Sequence, residues 1–424
     1  MRSGRSFRSF SVKTVKMSKR VIIIGAGAAG LMAGAEAAKR GNEVIILEKM
    51  PRPARKMMIT GKGRCNITNA TFELDGLIAN VPTNGRFLYS AFSAFMPYDT
   101  IALVEELGVP TKIERGNRVF PQSDRAVDVV DAFVKYARKS GANIVQKTAK
   151  TFDIQDSKIA AVITEDGERI EGDAFAVCTG GKSYPLTGST GDGYTLAKSV
   201  GHTVISPEPS LVGLEIRNNF IPKLQGLSLK NVAITLVDGD KEIYRDFGEM
   251  LFTHYGVSGP IVLSASAHMK KPKGKHYKLL LDLKPALDEK TLDMRLIREF
   301  EAQNNKNFIN SLANLLPNKL IPVIVRQSGI EPSLKCNSIT REQRKGLVHL
   351  LKCLELEVSN FRPIEEAVIT SGGVSTKEIE PKTMKSKLVD NLYFAGEVID
   401  VDAYTGGFNL QIAFSTGYLC GKNI

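Results

Sequence analysis

The sequence has no tryptophan, only five cysteines and five histidines, and no long uninterrupted apolar run. The cysteines form no CxxC pair and do not cluster with histidines, which argues against a disulfide framework or a zinc site and favours a reducing, cytoplasmic compartment. A membrane-spanning helix needs about 20 consecutive apolar residues. The nearest candidate, VIIIGAGAAGLMAGAEAA at 21–38, is interrupted by glycines and by Glu36. We therefore expect neither a metal site nor a membrane span.

The formal net charge of +12 is concentrated at the amino end of the chain. Residues 1–20 contain seven lysines or arginines and no acid, and without them the excess falls to +5. Charges of both signs are mixed along the rest of the chain, as on an ordinary solvated surface, so a nucleic-acid partner is not favoured. The arginine- and serine-rich residues 1–18 are interpreted as a disordered or targeting leader; Met17 provides an alternative start.

Residues 21–48 have the pattern of a buried strand, a glycine turn, a helix and a second strand. In the turn, Gly25 permits a tight bend, Gly27 lets the backbone approach a pyrophosphate, and Gly30 allows close packing of the helix on the strand. Glu48 ends the second strand, where a carboxylate can accept hydrogen bonds from ribose hydroxyls. The combination predicts a dinucleotide-binding βαβ unit.

The chain organisation predicts a discontinuous nucleotide-binding domain. Strand and glycine-turn patterns extend to about residue 204 and return near residue 365, whereas the segment between them has no glycine fingerprint. We therefore divide the chain into a Rossmann-like α/β domain of residues 19–204 and 365–424 and an insert of residues 205–364 that forms a substrate or lid domain. The patterns within the insert predict strands at 231–237 and 277–283 and helices at 287–303, 306–328 and 340–353.

Three separate glycine-rich turns, at 25–30, 61–66 and 406–409, need a common explanation. A ligand with one pyrophosphate would need only the first turn. FAD is an extended molecule whose ribityl chain and isoalloxazine ring also have to be approached closely by backbone amides, so it would use the other two. The pattern therefore favours FAD as the cofactor.

Five motifs together resemble the BaiN/YhiN-type bacterial FAD-dependent oxidoreductases. They are VIIIGAGAAGLMAG…ILEK, ARKMMITGKGRCNITN, CTGGKSYPLTGSTGDGYTLAKSVGH, LFTHYGVSGPIVL and LYFAGEVIDVDAYTGGFNLQIAFSTG, and the resemblance runs from about Lys19 to Gly421. It implies a Rossmann-like FAD-binding domain interrupted by an insert with a β-barrel-like part and a helical part. One departure is Ala54, since the family often has glycine before the arginine-lysine pair.

The resemblance and the glycine turns together define the residues expected around FAD. These are Gly25, Gly27, Ala28, Ala29, Gly30, Glu48, Lys49, Arg55, Lys56, Gly61, Gly63, Arg64, Cys65, Asn66, Val145, Thr179, Gly180, Gly181, Gly396, Glu397, Gly406, Gly407, Phe408, Asn409 and Leu410. Cys65 beside Arg64 could be a reactive thiolate, but it has no second cysteine nearby, and a small packed side chain is the favoured interpretation.

His254 and Tyr404 are the candidate catalytic residues. His254 lies in the insert motif LFTHYGVSGP and can titrate near neutrality, so it could face the substrate as an acid or base, or it could be a structural loop residue. Tyr404 precedes the last glycine turn and is a second candidate proton donor. The segment containing Arg115, Arg118 and Phe120 could hold an anionic group or form a surface hairpin.

The sequence thus predicts an FAD-dependent oxidoreductase that transfers hydride between flavin N5 and a small organic substrate. The resemblance implies NAD(P)H as the reductant, and we expect it to bind transiently because the chain has a single dinucleotide fingerprint. The alternatives are a flavin-dependent tRNA-modifying enzyme and a non-catalytic flavin-binding redox protein. Substrate, reaction direction and oligomeric state stay open.

Overall fold

A computed structural model describes residues 18–156, 158–269 and 276–424. The predicted leader lies outside these ranges except for its last residue. Within them, no single helix is long and apolar enough to cross a membrane, although one bent pair, Gly85–Ala94 with Pro97–Glu106, meets the criterion by length and composition.

The first part of the chain alternates strands and helices. Its elements are β1 (Arg20–Ile24), α1 (Ala28–Lys39), β2 (Glu43–Glu48), α2 (Arg55–Gly63), β3 (Thr68–Asn69), α3 (Leu74–Ala79), α4 (Tyr89–Ala94), α5 (Pro97–Glu106), β4 (Thr111–Glu114), β5 (Arg118–Pro121), α6 (Ala126–Lys139), β6 (Ala142–Gln146), β7 (Ala149–Gln155), β8 (Lys158–Thr164), β9 (Arg169–Glu171), β10 (Ala174–Val177) and α7 (Asp192–Ser199).

The rest of the chain contains the insert and the return to the first domain. Its elements are β11 (Val204–Ser210), β12 (Leu214–Ile216), α8 (Ile221–Leu224), β13 (Ser228–Asp238), β14 (Lys241–Phe252), β15 (Gly256–Ser258), α9 (Pro260–Ser266), β16 (Tyr277–Asp282), α10 (Glu289–Ala302), α11 (Ile321–Ser328), α12 (Arg341–Lys352), β17 (Leu354–Phe361), β18 (Ile369–Val374), β19 (Leu392–Phe394) and α13 (Phe408–Asn423). Short 3-10 helices lie at Gly85–Leu88, Pro185–Thr187, Phe308–Asn310, Cys336–Ser338, Ile364–Glu366 and Thr376–Glu378.

A parallel sheet forms the centre of the first domain, with strand order β19-β10-β1-β2-β6. β1 is buried at four of its five residues. The small side chains of α1 pack against β1 on one side and against α13. Alanines and glycines dominate α1, which lets these elements approach closely. Since the carboxyl ends of parallel strands meet at one edge, this sheet places the loops after β1, β2, β10 and β19 side by side.

The insert contains a closed barrel with strand order β12-β15-β14-β13-β16-β17. Its long hairpin β13–β14 is antiparallel, and helices α10, α11 and α12 pack outside. One hydrophobic cluster draws on residues 21–204 and 374–424, and a second cluster draws on residues 212–367. The predicted fold class is confirmed: a Rossmann-like domain interrupted by an insert with a barrel part and a helical part. The exact domain boundaries stay a prediction.

Candidate functional site

In the first glycine turn, a side chain would have room at one glycine and would clash with the backbone at the other two. Gly25 has φ +100°, and a Cβ there would lie 2.6 Å from the Cys178 carbonyl oxygen; a Cβ at Gly30 would lie 1.8 Å from the Gly25 carbonyl oxygen. At Gly27 a Cβ would meet nothing within 4 Å. This open position lines the central cavity at the amino end of α1, where N–H groups favour a negatively charged ligand.

Glu48 is fixed by backbone N–H groups at the end of β2. Its Oε2 accepts a hydrogen bond from Ala26 N at 2.8 Å and its Oε1 accepts one from Met50 N at 2.8 Å. Burial raises the pKa of this carboxyl group, although these hydrogen bonds and Lys49 oppose the rise. The carboxylate therefore has a defined orientation at the cavity wall, with acceptor lone pairs left for a ligand.

The second turn follows α2, which is interrupted at Thr60, Gly61 and Lys62 by non-helical backbone. Ala54, the residue before α2, has φ 54° and ψ 33°. The position that departs from the family pattern therefore has the left-handed conformation that suits glycine. The loop thus has a glycine-like geometry in spite of the alanine.

Cys65 and Arg64 do not line the cavity. Cys65 is fully buried in the hydrophobic core, and burial raises the pKa of its thiol to about 12, so the thiol stays protonated. Arg64 forms ion pairs with Glu114 and Asp124, and its guanidinium lies 4.1 Å from the ring centroid of Phe120. These contacts favour packing and ion-pair roles for both residues over a redox role.

The third turn begins α13 and is built around Asn409. Its Nδ2 donates to the Ala403 carbonyl oxygen at 2.8 Å, and its Oδ1 accepts from Ala403 N at 2.9 Å. Gly407 has φ +104°, and a Cβ there would lie 2.3 Å from the Thr68 carbonyl oxygen. The turn is thereby fixed against the strand that follows the second turn.

A cluster of polar side chains joins the start of α2 to the loops after β10 and β19. Lys56 Nζ lies 2.7 Å from Glu397 Oε2 and donates to Ser183 Oγ at 2.6 Å. Glu397 Oε1 also accepts a hydrogen bond from Thr370 N at 2.9 Å. The cluster places one cation and one anion, both partly buried, on the wall of the cavity.

These loops line a cavity that opens to the solvent. Fourteen of the residues predicted to surround FAD line it: Gly25, Gly27, Ala28, Ala29, Glu48, Lys49, Arg55, Lys56, Thr179, Gly180, Gly396, Glu397, Asn409 and Leu410. The other predicted residues are not part of this wall: Gly30, Gly61, Gly63, Arg64, Cys65, Asn66, Val145, Gly181, Gly406, Gly407 and Phe408. The roles of all these residues toward FAD stay predictions.

Sequence reasoning missed part of the wall. Val145 pairs with Leu47 inside the sheet, whereas Lys147, Thr148 and Ala149, just beyond the end of β6, line the cavity. The segment Thr187–Ser189 also lines it. The glycine-rich stretch after Thr179 could have indicated the segment Thr187–Ser189. Lys147 could have been found from its position after a parallel strand that lies next to β2.

The residues present fit an extended dinucleotide. The wall combines an open glycine at a helix amino end, an acid at the end of β2 and a polar cluster on the neighbouring loops. In the part of the chain that the structure describes, the buried oxygens without a hydrogen-bond partner include Thr179 Oγ1 on the wall and Asn66 Oδ1 in the second turn. Such atoms are satisfied when a polar ligand binds.

The two candidate catalytic residues occupy different surroundings. His254 is exposed in the loop between β14 and β15, edge-on to Tyr255, and is not part of the cavity wall. Tyr404 is half-buried, and its hydroxyl lies 2.7 Å from His268 Nε2. His268 was not singled out from the sequence.

The remaining candidate features are accounted for by surface contacts. Arg118 and Arg115 are exposed, and Arg118 Nε donates to the Arg115 carbonyl oxygen at 3.0 Å, as in a surface hairpin.

All five cysteines are free. In the described ranges, no group of three or more His, Cys, Asp or Glu side chains is arranged to hold a metal ion.

Comparison with known proteins gives full-length matches. The HI0933-like protein Rossmann domain family matches residues 19–423. A 3-dehydro-bile acid delta(4,6)-reductase of Clostridium scindens is 31% identical over 410 residues, which cover 95% of this chain and 98% of that protein. A ribosomal RNA dihydrouridine synthase of Haemophilus influenzae is 33% identical over 408 residues, with 95% and 98% covered.

A solved structure has a similar fold. The Mycobacterium smegmatis Sdh1 complex in the apo form has a TM-score of 0.50 to this chain at 16% sequence identity, and the match covers 96% of this chain and 68% of that one.

Proposed function

The chain belongs to the HI0933-like Rossmann-domain family, and from this premise we propose that it is an FAD-dependent reductase of carbon–carbon double bonds conjugated to a carbonyl group. The observation that carries the cofactor assignment is the cavity wall, where Gly27 of the first glycine turn, Glu48 at the end of β2 and Asn409 of the third glycine turn line one cavity. Reduced FAD, when bound, supplies the hydride for such a reduction.

Each part of the wall has a proposed role toward FAD. Glu48 accepts hydrogen bonds from the adenosine ribose, and the N–H groups at the start of α1 bind the pyrophosphate. The Lys56–Glu397 cluster offers a donor and an acceptor to the ribityl hydroxyls or the ring edge. The amino end of α13 favours negative charge at the flavin, because a helix amino end carries partial positive charge.

The substrate class follows from what two relatives have in common. One is named as a reductase of 3-dehydro-bile acids and the other as a dihydrouridine synthase. A 3-oxo-4,6-diene and the uracil ring both contain a C=C bond conjugated to a carbonyl, and both are reduced by adding one hydride and one proton. We assign this shared chemistry to the present chain, with a free small molecule and a uridine in RNA as its two possible sources.

We further propose NAD(P)H as the reductant. Among the described residues the only strand–GxGxxG–helix unit is β1–α1, which is assigned to FAD, so NAD(P)H would bind transiently against the same cavity. A cytoplasmic location is proposed on the same basis as before, the free cysteines.

The test is anaerobic reoxidation of the reduced holoprotein by a panel of acceptors. We expect a 3-oxo-4,6-diene steroid or a uridine-containing ribosomal RNA fragment to restore the oxidised flavin spectrum, with one C=C bond reduced per flavin. The matched controls are the saturated 3-oxo steroid and the same RNA with dihydrouridine at the target position, neither of which has a C=C bond conjugated to a carbonyl at the reacting position.

The outcomes separate the alternatives. Reaction with the RNA alone, together with binding that weakens steeply with salt, would place the chain among RNA-modifying enzymes. Reaction with the steroid alone would establish a small-molecule reductase. If oxygen reoxidises the flavin but neither conjugated acceptor does, the chain is a flavin-binding redox protein of another kind and the proposal is wrong.

A further inference from the structure

A hydrogen bond joins the insert to the segment that leads into α13. Tyr404 Oη lies 2.7 Å from His268 Nε2, and the two rings are 5.6 Å apart at an angle of 34°. His268 follows α9 of the insert, and Tyr404 lies three residues before Gly407, the residue that begins α13. Neither side chain belongs to either hydrophobic cluster. The pair is thus a polar contact between the two parts of the fold.

The imidazole of His268 also contacts a barrel strand. The ring of Tyr244, on β14, stacks on His268 with centroids 4.4 Å apart and an interplanar angle of 22°. The Tyr244 hydroxyl donates to Asp246 Oδ2 at 2.9 Å. Stacking restricts rotation of the imidazole, so His268 keeps its Nε2 directed at Tyr404.

Tyr404 is also tied to the cavity wall. Asn409 lines the cavity, and its Nδ2 donates to the Tyr404 carbonyl oxygen at 3.3 Å as well as to that of Ala403. Val401, three residues before Tyr404, lines the cavity too. The backbone of Tyr404 is therefore held beside the cavity wall by Asn409, and its hydroxyl, which is not itself part of the wall, is held by His268 of the insert.

We propose that Tyr404 is the proton donor of the reduction and that His268 is its positioning residue. This inference rests on the proposed function and deepens it. Hydride addition to the β-carbon of a conjugated C=C–C=O unit moves an electron pair toward the carbonyl oxygen and leaves an enolate. The Tyr404 O–H bond then breaks, a C–H bond forms at the α-carbon, and the carbonyl is restored. The phenolate accepts a hydrogen bond from His268 Nε2–H and regains its proton from water after the product leaves.

The surroundings of Tyr404 keep its hydroxyl protonated. Burial, with Asp246 and Asp402 nearby, raises the pKa of the Tyr404 hydroxyl, so it carries its proton at neutral pH. Burial lowers the pKa of His268, although the Asp402 charge opposes this, which favours a neutral imidazole. A neutral ring with hydrogen on Nε2 donates to Tyr404 Oη and leaves the phenol hydrogen free to point toward a substrate.

The experiment compares two acceptors in rapid mixing with the anaerobically reduced holoprotein. Tyr404→Phe removes only the hydroxyl, and Tyr89→Phe, on an exposed ring, is the matched control. We expect Tyr404→Phe to slow reoxidation by the conjugated substrate by about 10² to 10⁴-fold, the usual range for a general acid. Reoxidation by ferricyanide, which takes electrons and needs no proton at carbon, should stay within about threefold of the unmodified protein, a margin far below that range.

A second variant tests the role of His268. His268→Ala should lower the rate with the conjugated substrate, and His268→Gln, which can still donate to the phenol, should restore part of it; both should leave the ferricyanide rate unchanged. A solvent deuterium isotope effect on the conjugated reaction should be altered by Tyr404→Phe and not by Tyr89→Phe.

Full reactivity of Tyr404→Phe with the conjugated substrate would overturn the proton-donor role. So would an equal loss with both acceptors, since this would indicate damage to the cofactor site. If the unmodified protein itself reacts with ferricyanide but with no conjugated substrate, the proposed function fails first, and the inference falls with it.

Discussion

Lys56 and Glu397 form an ion pair across the cavity, with Nζ 2.7 Å from Oε2 and 2.9 Å from Oε1. Lys56 lies at the start of α2, which follows β2, and Glu397 lies in the loop after β19; β1 and β10 separate these two strands in the sheet. The pair therefore connects two distant segments at the carboxyl edge of the sheet. Their side chains are only 23% and 17% exposed, so each needs the other to offset its loss of hydration.

Glu397→Gln should weaken FAD binding by roughly tenfold or more, because it leaves Lys56 without its counter-charge and removes an acceptor from the wall; a lost bond to a charged group costs about 1.5–3 kcal/mol. Titration of the apoprotein with FAD measures this effect. Lys56→Met should be similar, and the double variant should lose less than the sum of the two. Strict additivity would show that the pair does not act as a unit.

Glu48→Gln should also weaken FAD retention, by about 1–2 kcal/mol. The carboxylate accepts hydrogen bonds from two backbone N–H groups, and an amide has one oxygen to offer in place of two. Glu43→Gln, at the exposed start of the same strand, is the matched control and should bind FAD normally. Equal FAD affinity of the two variants would mean that the ribose lies elsewhere.

His254→Ala should leave the bound-flavin spectrum intact and change turnover little, because the side chain is exposed and outside the cavity wall. Steady-state kinetics with a conjugated substrate measures this. A loss of about 10² to 10⁴-fold would instead restore the acid–base role predicted from the sequence and would require the barrel loop to reach the cofactor during turnover.

The βαβ unit and the fold class were predictable because they depend on local patterns. The turn Gly25–Gly30 and the acid at Glu48 lie in one short segment, which is enough to indicate a dinucleotide-binding unit. The helix expected at 306–328 is wrong over most of its length, since only Phe308–Asn310 and Ile321–Ser328 are helical there. Pro317 lies inside the expected helix, where it removes a backbone donor and interrupts the pattern.

Other features depend on contacts that no local pattern reveals. Strand β14 was missed, because its exposed polar positions look like a loop until it pairs with β13. Residues 89–106 form two helices, α4 and α5, and Pro97 begins the second helix. His268 had no signal in the sequence, since its partner Tyr404 is 136 residues away.

Turnover should be ping-pong, because NAD(P)H and the substrate are proposed to use the same face of one cavity. Double-reciprocal plots at several fixed NAD(P)H concentrations should give parallel lines, and the substrate should inhibit competitively against NAD(P)H. Intersecting lines, with a ternary complex detected on rapid mixing, would show that a separate nicotinamide site exists.

We propose that the cavity lined by Gly27, Glu48 and Asn409 holds FAD. The most direct measurement is to denature the purified or FAD-reconstituted protein after removing free ligand, and to identify and quantify the released cofactor by chromatography. We expect one FAD per chain and a much lower yield from Glu48→Gln than from Glu43→Gln. Release of FMN or NAD, or no retained flavin after reconstitution, would contradict it.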